Sequence, residues 1–151
     1  MYVYLVQHAE AAKESPKDLT EKGRLDMENV SHHLKRLKVP VTQIFHSGKT
    51  RAQTTAKILA QHLNPPSGVS EAPGLAPLDD PQIWSGRIAQ MDEDIMLVGH
   101  LPHLGKLAAI LLSGDQNRNV INFQMGGALR LRRMSPYQWA VDWMVIPELI
   151  L

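Results

Sequence analysis

The chain has 151 residues, 44% of them hydrophobic and 21% charged, with a formal net charge of +1 and no cysteine. This is the composition of a globular chain with a core of its own; it excludes disulfides, thiolate metal sites and a broad electrostatic attraction to nucleic acid or to an anionic membrane. No charged leader with a long apolar run opens the sequence, and no apolar run approaches the roughly 20 residues of a bilayer span. One domain over residues 1–151, in the cytoplasm, without nucleic-acid or membrane partners, is the expectation.

Tyr2–Val6 is β-branched and aromatic without strict alternation, the pattern of a strand buried on both faces, and it runs into Gln7-His8-Ala9. Ala9–Lys17 reads as a loop. Thr20 is placed to cap a helix from Glu21, with Met27, Val30, Leu34 and Leu37 on one stripe and Val39-Pro40 as its stop. Thr42–His46 predicts a second buried strand, Ser47-Gly48-Lys49 a turn, and Thr50–Leu63 a helix with Ala52, Ala56, Leu59 and Leu63 inward. Asn64–Gly68 ends that helix, Ala72–Pro81 reads as a surface loop and Gln82–Gln90 as a short helix.

Asp94–Val98 predicts a third buried strand, ending in Gly99-His100, and Pro102 opens a helix whose apolar face is Leu104, Leu107, Ala108, Leu111 and Leu112. Three further strands are predicted at Val120–Gln124, Ala128–Met134 and Gln138–Ile146, with Ser135-Pro136-Tyr137 as the last turn. Strand–helix alternation over the first two thirds implies an α/β fold, a mixed, mostly parallel sheet with helices on both faces. Ligands of such sheets bind beyond the carboxyl ends of the strands. His8, then His46-Ser47 with Arg51, then His100 follow three successive strands of this kind, so two histidines and an arginine are expected at one edge.

Those residue types suit phosphoryl transfer. An arginine grips phosphate with a planar fork of donors. The helix starts near Thr50 and Pro102 add free N–H groups and positive dipole ends. A neutral histidine attacks phosphorus, and a protonated one stabilises the equatorial oxygens. Neither a metal nor a cofactor is required. The candidate catalytic residues are therefore His8 and His100, and the candidate phosphate ligands are Arg51, Gln7 and Ser47. Ser47 is equally placed to cap the following helix. Other features have simpler readings. His32 and His33 point about 100° apart on a helix and do not share an ion. His103 is expected on a helix surface, and Arg130, Arg132 and Arg133 on the wet face of a strand.

The ordered motifs resemble the histidine phosphatase superfamily. Gln7-His8-Ala9 is similar to its Arg-His-Gly, and Leu19-Thr20-Glu21-Lys22-Gly23 to its Leu-Thr-x-x-Gly. Ser47 to Ala56 resembles Ser-Pro-x-x-Arg-Ala-x-Gln-Thr-Ala, and Gly99-His100-Leu101-Pro102 resembles the second-histidine motif. The length is similar to that of the compact SixA-type phosphohistidine phosphatases. The resemblance implies a phosphoglycerate mutase-like three-layer α/β/α fold and transient phosphorylation of His8. Arg51 and His100 would hold the phosphoryl group, and water would then release inorganic phosphate. It also implies a protein substrate of the histidine-containing phosphotransfer type.

The chain departs from the pattern at Gln7, Ala9, Gly48 and Thr54, where the family has Arg, Gly, Pro and Gln. Losing one cationic contact costs on the order of 10²–10³ in rate. A general acid is not evident either: Glu10, Asp18, Asp79 and Asp80 are candidates without a motif. Phosphohistidine tolerates that lack, because its leaving group is an imidazole, far less basic than an alkoxide. The segment from Glu71 to Asp94 is too short for a deep lid, which implies an open site suited to a protein surface. Two alternatives stand beside this reading. One is a small-molecule phosphomonoesterase using Asp79 or Asp80. The other is a phosphate- or phosphohistidine-binding module weakened by Gln7.

Overall fold

Val3 to Val6 are fully buried because both of their faces are covered, and they form the inner part of strand β1, Tyr2–Gln7. The structure, a computed structural model, describes residues 1–150; Leu151, the last residue of the expected domain, lies outside the described residues. The remaining elements follow in chain order: α1 (Glu21–Arg36), β2 (Gln43–His46), α2 (Thr50–Leu63), β3 (Val69–Glu71) and α3 (Pro81–Ala89). Then come β4 (Ile95–Gly99), α4 (His103–Ser113), β5 (Ala128–Ser135), β6 (Gln138–Val145) and a 3-10 turn at Pro147–Leu149.

The six strands form one sheet in the order β3-β2-β4-β1-β5-β6. The first four are parallel; β5 and β6 are antiparallel additions. Alternate residues of β1 feed two cores. Tyr4 and Val6 pack with Met27, Val30, Leu34, Ala56 and Leu59 of α1 and α2. Val3 and Leu5 pack with Trp84, Ile88, Leu104 and Leu107 of α3 and α4. The result is the expected three-layer α/β/α sandwich. No helix of the described residues is long and apolar enough to cross a membrane.

Four local expectations are corrected. Val120–Gln124 is not a strand. Strand β5 is already flanked by β1 and β6, and the segment instead drops Phe123 into the core while Val120 stays exposed. The three residues of β3 add an edge strand where none was predicted, too short to show a period. His103 is fully buried, one turn before Leu107 on the inner stripe of α4. Arg133 shares the strand face of Leu129 and Leu131, not that of Arg130. Its guanidinium donates to the Ile88 carbonyl at 2.7 Å and lies over the Trp139 ring, while Arg130 stacks on Tyr2 and pairs with Asp142.

The Leu-Thr-x-x-Gly stretch has a structural explanation. Thr20 caps α1 by accepting from the Gly23 N–H at 3.0 Å, and its own N–H donates to the Glu10 carbonyl at 3.0 Å. A Cβ on Gly23 would stand 2.2 Å from that same carbonyl oxygen. The helix start and the segment that follows His8 are therefore locked together by a close approach that only glycine permits.

Candidate functional site

The pairing of β1 with β4 sets Gln7 opposite Gly99, and the His8 N–H extends it by donating to the Gly99 carbonyl at 3.0 Å. His8 and His100 consequently leave two neighbouring strands side by side. Their rings lie 5.0 Å apart, centroid to centroid, inclined by 50°. Behind them, the Ala9 N–H donates to the Thr55 hydroxyl at 3.1 Å, and that hydroxyl donates to the Arg51 carbonyl at 2.8 Å. Thr55 thus ties the strand end that carries His8 to the helix turn that carries Arg51. Ala9 is absent from the positive-φ positions, so replacing the family's glycine there strains nothing.

His8 Nδ1 lies 2.8 Å from the Ala9 carbonyl. A carbonyl only accepts, so Nδ1 carries the proton and Nε2 keeps its lone pair. Burial, and then the charge of Arg51, push the His8 pKa down against the opposing effect of that carbonyl. His8 is thus a neutral imidazole with Nε2 available as a nucleophile.

His100 is only 2% exposed. Burial first, then His8, Arg51, Lys49 and His103, push its pKa down to about 3. Every one of those neighbours is cationic or becomes so on protonation. A phosphoryl dianion placed among them reverses the balance and favours the imidazolium. His100 Nε2 sits 2.6 Å from the Ser47 hydroxyl, which also accepts from the Lys49 N–H at 3.3 Å. Ser47 is therefore brought against His100 and is not the helix cap: the cap position of α2 is Lys49, without a side-chain bond. His46 is structural, its Nδ1 accepting from the Gly48 N–H at 3.0 Å.

Arg51 lies in the first turn of α2, where no acidic residue offsets it and, among the described residues, it makes no ion pair. Gln7 is half-buried, and its Oε1 is buried with no hydrogen-bond partner. Gln7, His8, Ser47 and His100 stand at or just past the carboxyl ends of β1, β2 and β4, and Arg51 stands at the start of the helix that follows β2.

The four candidate carboxylates do not join them. Glu10 accepts from Thr20, and Asp18 holds Thr54 and Arg24. Asp79 accepts from the Ala76 N–H, and Asp80 caps α3. The charged neighbours that act most on His8 and His100 are cationic or become so on protonation, with Arg51 acting on both. The segment expected to leave the site open is spent on the core. Leu75, Trp84 and Ile88 are buried, and the Trp84 indole donates to the Pro73 carbonyl at 3.0 Å.

Two contributors escaped the sequence reading. Thr55 lay inside a recognised motif without a role, and His103 was judged by the usual exposure of histidine although its spacing from Leu107 marked it as internal. Four histidines, His8, His46, His100 and His103, have pKa values depressed below the ordinary value, in each case first by burial. The unfolded chain therefore binds more protons as pH falls below about 6.5, and folding stability drops by up to about 1.4 kcal/mol per pH unit for each histidine. Urea unfolding of the unliganded chain is expected to show full stability above that pH and a falling midpoint from 6.5 to 4.5. His103→Leu, which removes one of the four, is expected to flatten the slope; an equal slope refutes the assignment of His103.

Residues 3–118 match the family model described as histidine phosphatase superfamily (branch 1). The phosphohistidine phosphatase SixA of Escherichia coli K12 is 28% identical over 123 residues, covering 76% of each chain. A solved structure of the protein histidine phosphatase SixA complexed with tungstate superposes with a TM-score of 0.88 at 23% identity, covering 97% of both chains. The α-ribazole phosphatase of Shigella flexneri shares the fold too, with a TM-score of 0.77 at 16% identity over 97% of this chain and 96% of its own.

Proposed function

The chain belongs to the histidine phosphatase superfamily and is a phosphatase, and from that premise we propose that it removes the phosphoryl group from phosphohistidine on a protein surface. His8 Nε2 attacks phosphorus, the bond from phosphorus to the substrate imidazole breaks, and the electron pair leaves with that ring, which departs as neutral imidazole because its other nitrogen carries a proton. Water then attacks the phosphorus on His8, the new P–N bond breaks, and inorganic phosphate departs. Arg51, Ser47 and the amide of Gln7 hold the phosphoryl oxygens, and His100, protonated once the dianion is bound, stabilises the charge that spreads over them. No step requires a metal ion or a cofactor.

One observation carries the substrate class: the four candidate carboxylates, Glu10, Asp18, Asp79 and Asp80, are each engaged in hydrogen bonds away from the imidazole pair. A general acid contributes typically 10²–10⁴-fold when the leaving group is a basic alkoxide. A site without one favours an imidazole leaving group. The partly exposed His8 suits a phosphohistidine presented on a protein, of the kind carried by histidine-containing phosphotransfer domains. The likeness to SixA proteins supports the same choice.

The test is a comparison of phosphate release from a phosphohistidine-bearing phosphotransfer protein and from an alkyl phosphate, in the presence of a chelator. The phosphohistidine protein is expected to react at least about 10²-fold faster in kcat/KM. An alkyl phosphate turned over equally well points to a small-molecule phosphomonoesterase and overturns the proposal. Phosphate binding without turnover of either substrate points to a binding module and overturns it as well.

A further inference from the structure

We propose that Lys49 is the second permanent cation of the phosphate pocket and supplies the charge that Gln7 does not carry; this rests on the phosphatase reading of the His8 site.

A phosphoryl group brings two negative charges, and both imidazoles that meet it are neutral in the empty site. Arg51 is then the one permanent charge facing the dianion, and His100 adds a second only after the anion has bound. Three other cations come near the motif regions, and two of them are already engaged. Lys22 pairs with Asp26 at 2.8 Å, and Arg24 pairs with Asp18 at 2.9 Å. Lys49 is exposed and, among the described residues, makes neither an ion pair nor a side-chain hydrogen bond.

Its backbone is bound into the site. The Lys49 N–H donates to the Ser47 hydroxyl, which in turn meets His100 Nε2 at 2.6 Å. The Lys49 charge, like that of Arg51, opposes protonation of His100. Lys49 also occupies the cap position of α2, the end of the helix where the dipole is positive.

The turn that delivers Lys49 departs from the family pattern at Gly48. Gly48 has φ +90°, and a Cβ there would run into the Glu71 carboxylate. Proline, with φ fixed near −65°, does not adopt this path. The two departures from the family pattern are thereby coupled: the strand end loses a charge at Gln7, and the glycine turn brings one in at Lys49. Lysine suits the position, because an exposed ammonium stays hydrated until the anion arrives and then acts as a point charge.

A double-mutant cycle tests this, using native chain, Lys49→Ala, Gln7→Arg and the double variant, with Lys49→Arg as the conservative control. Inorganic phosphate affinity and kcat/KM for the phosphohistidine protein are both measured. Lys49→Ala is expected to lower each by about 10- to 100-fold, Lys49→Arg by less than about 3-fold, and Lys49→Ala in the Gln7→Arg background by less than about 3-fold. Unchanged phosphate affinity in Lys49→Ala, or the same loss in both backgrounds, overturns the proposal. Because phosphate affinity is read without turnover, a native chain that fails to hydrolyse phosphohistidine yet loses phosphate binding in Lys49→Ala refutes the substrate reading and leaves this one standing.

Discussion

Exchanging His8 for asparagine is expected to reduce phosphate release from a phosphohistidine protein to background, a loss of at least about 10⁴-fold, with the fold intact. The asparagine amide can still donate to the Ala9 carbonyl, as His8 Nδ1 does now at 2.8 Å, so the strand end keeps its bond. What disappears is the Nε2 lone pair. Burial and the nearby Arg51 charge hold that lone pair unprotonated, which makes His8 ready to attack at neutral pH. Two measurements separate nucleophile from bystander. The native chain should form an acid-labile, alkali-stable phosphoenzyme on rapid quench, and His8→Asn should form none. His8→Asn should also still bind inorganic phosphate, because Arg51, Ser47 and His100 remain. A variant that retains more than about a tenth of native activity would refute covalent catalysis by His8.

Gly23→Ala is the substitution with the largest expected effect on stability away from the chemistry. Within a helix, glycine to alanine ordinarily stabilises by about 1 kcal/mol. Here the added Cβ would lie 2.2 Å from the Glu10 carbonyl oxygen and 3.1–3.2 Å from that residue's backbone C and N. The obstacle is backbone, so no side chain can swing away, and relief requires the start of α1 to part from the segment after His8. The expected cost is about 3 kcal/mol, opposite in sign to propensity. Activity should fall as well, because Glu10 follows His8 by two residues. Gly86→Ala is the internal control: it lies inside α3 with nothing within 4 Å of the added carbon. Urea midpoints of the two variants should move in opposite directions. A Gly23→Ala midpoint at or above the native one would show that the close approach is relieved at no cost.

Most of this architecture was legible because burial imposes a period. The inner strands read correctly from unbroken apolar runs, as in Y-V-Y-L-V, since a strand covered on both faces has no polar side to alternate. Helix α2 was found to the residue because a turn precedes Thr50 and Asn64 closes it in a left-handed conformation. The failures have equally local causes. Val120–Gln124 carries strand-forming residues but has no open sheet edge to join, and that is decided by distant chain. Strand β3 is three residues long and exists because β2 offers an edge. For the site, position along the strands located His8, Arg51 and His100. Sequence alone did not show that Glu10, Asp18, Asp79 and Asp80 are all engaged in hydrogen bonds elsewhere, the first two with side chains and the last two with backbone N–H groups. It did not show that Ser47 leaves the helix to meet His100 either. Both facts depend on contacts made across the fold.

The side-by-side exit of His8 and His100 from two neighbouring parallel strands separates heredity from specialisation. The spacing of the reactive pair is set by five matched residue pairs between β1 and β4 at the centre of the sheet. Loops beyond the strand ends tolerate insertion without disturbing that pairing. What surrounds the two histidines can therefore vary while their separation does not, and the same backbone is found in proteins named for different phosphorylated substrates.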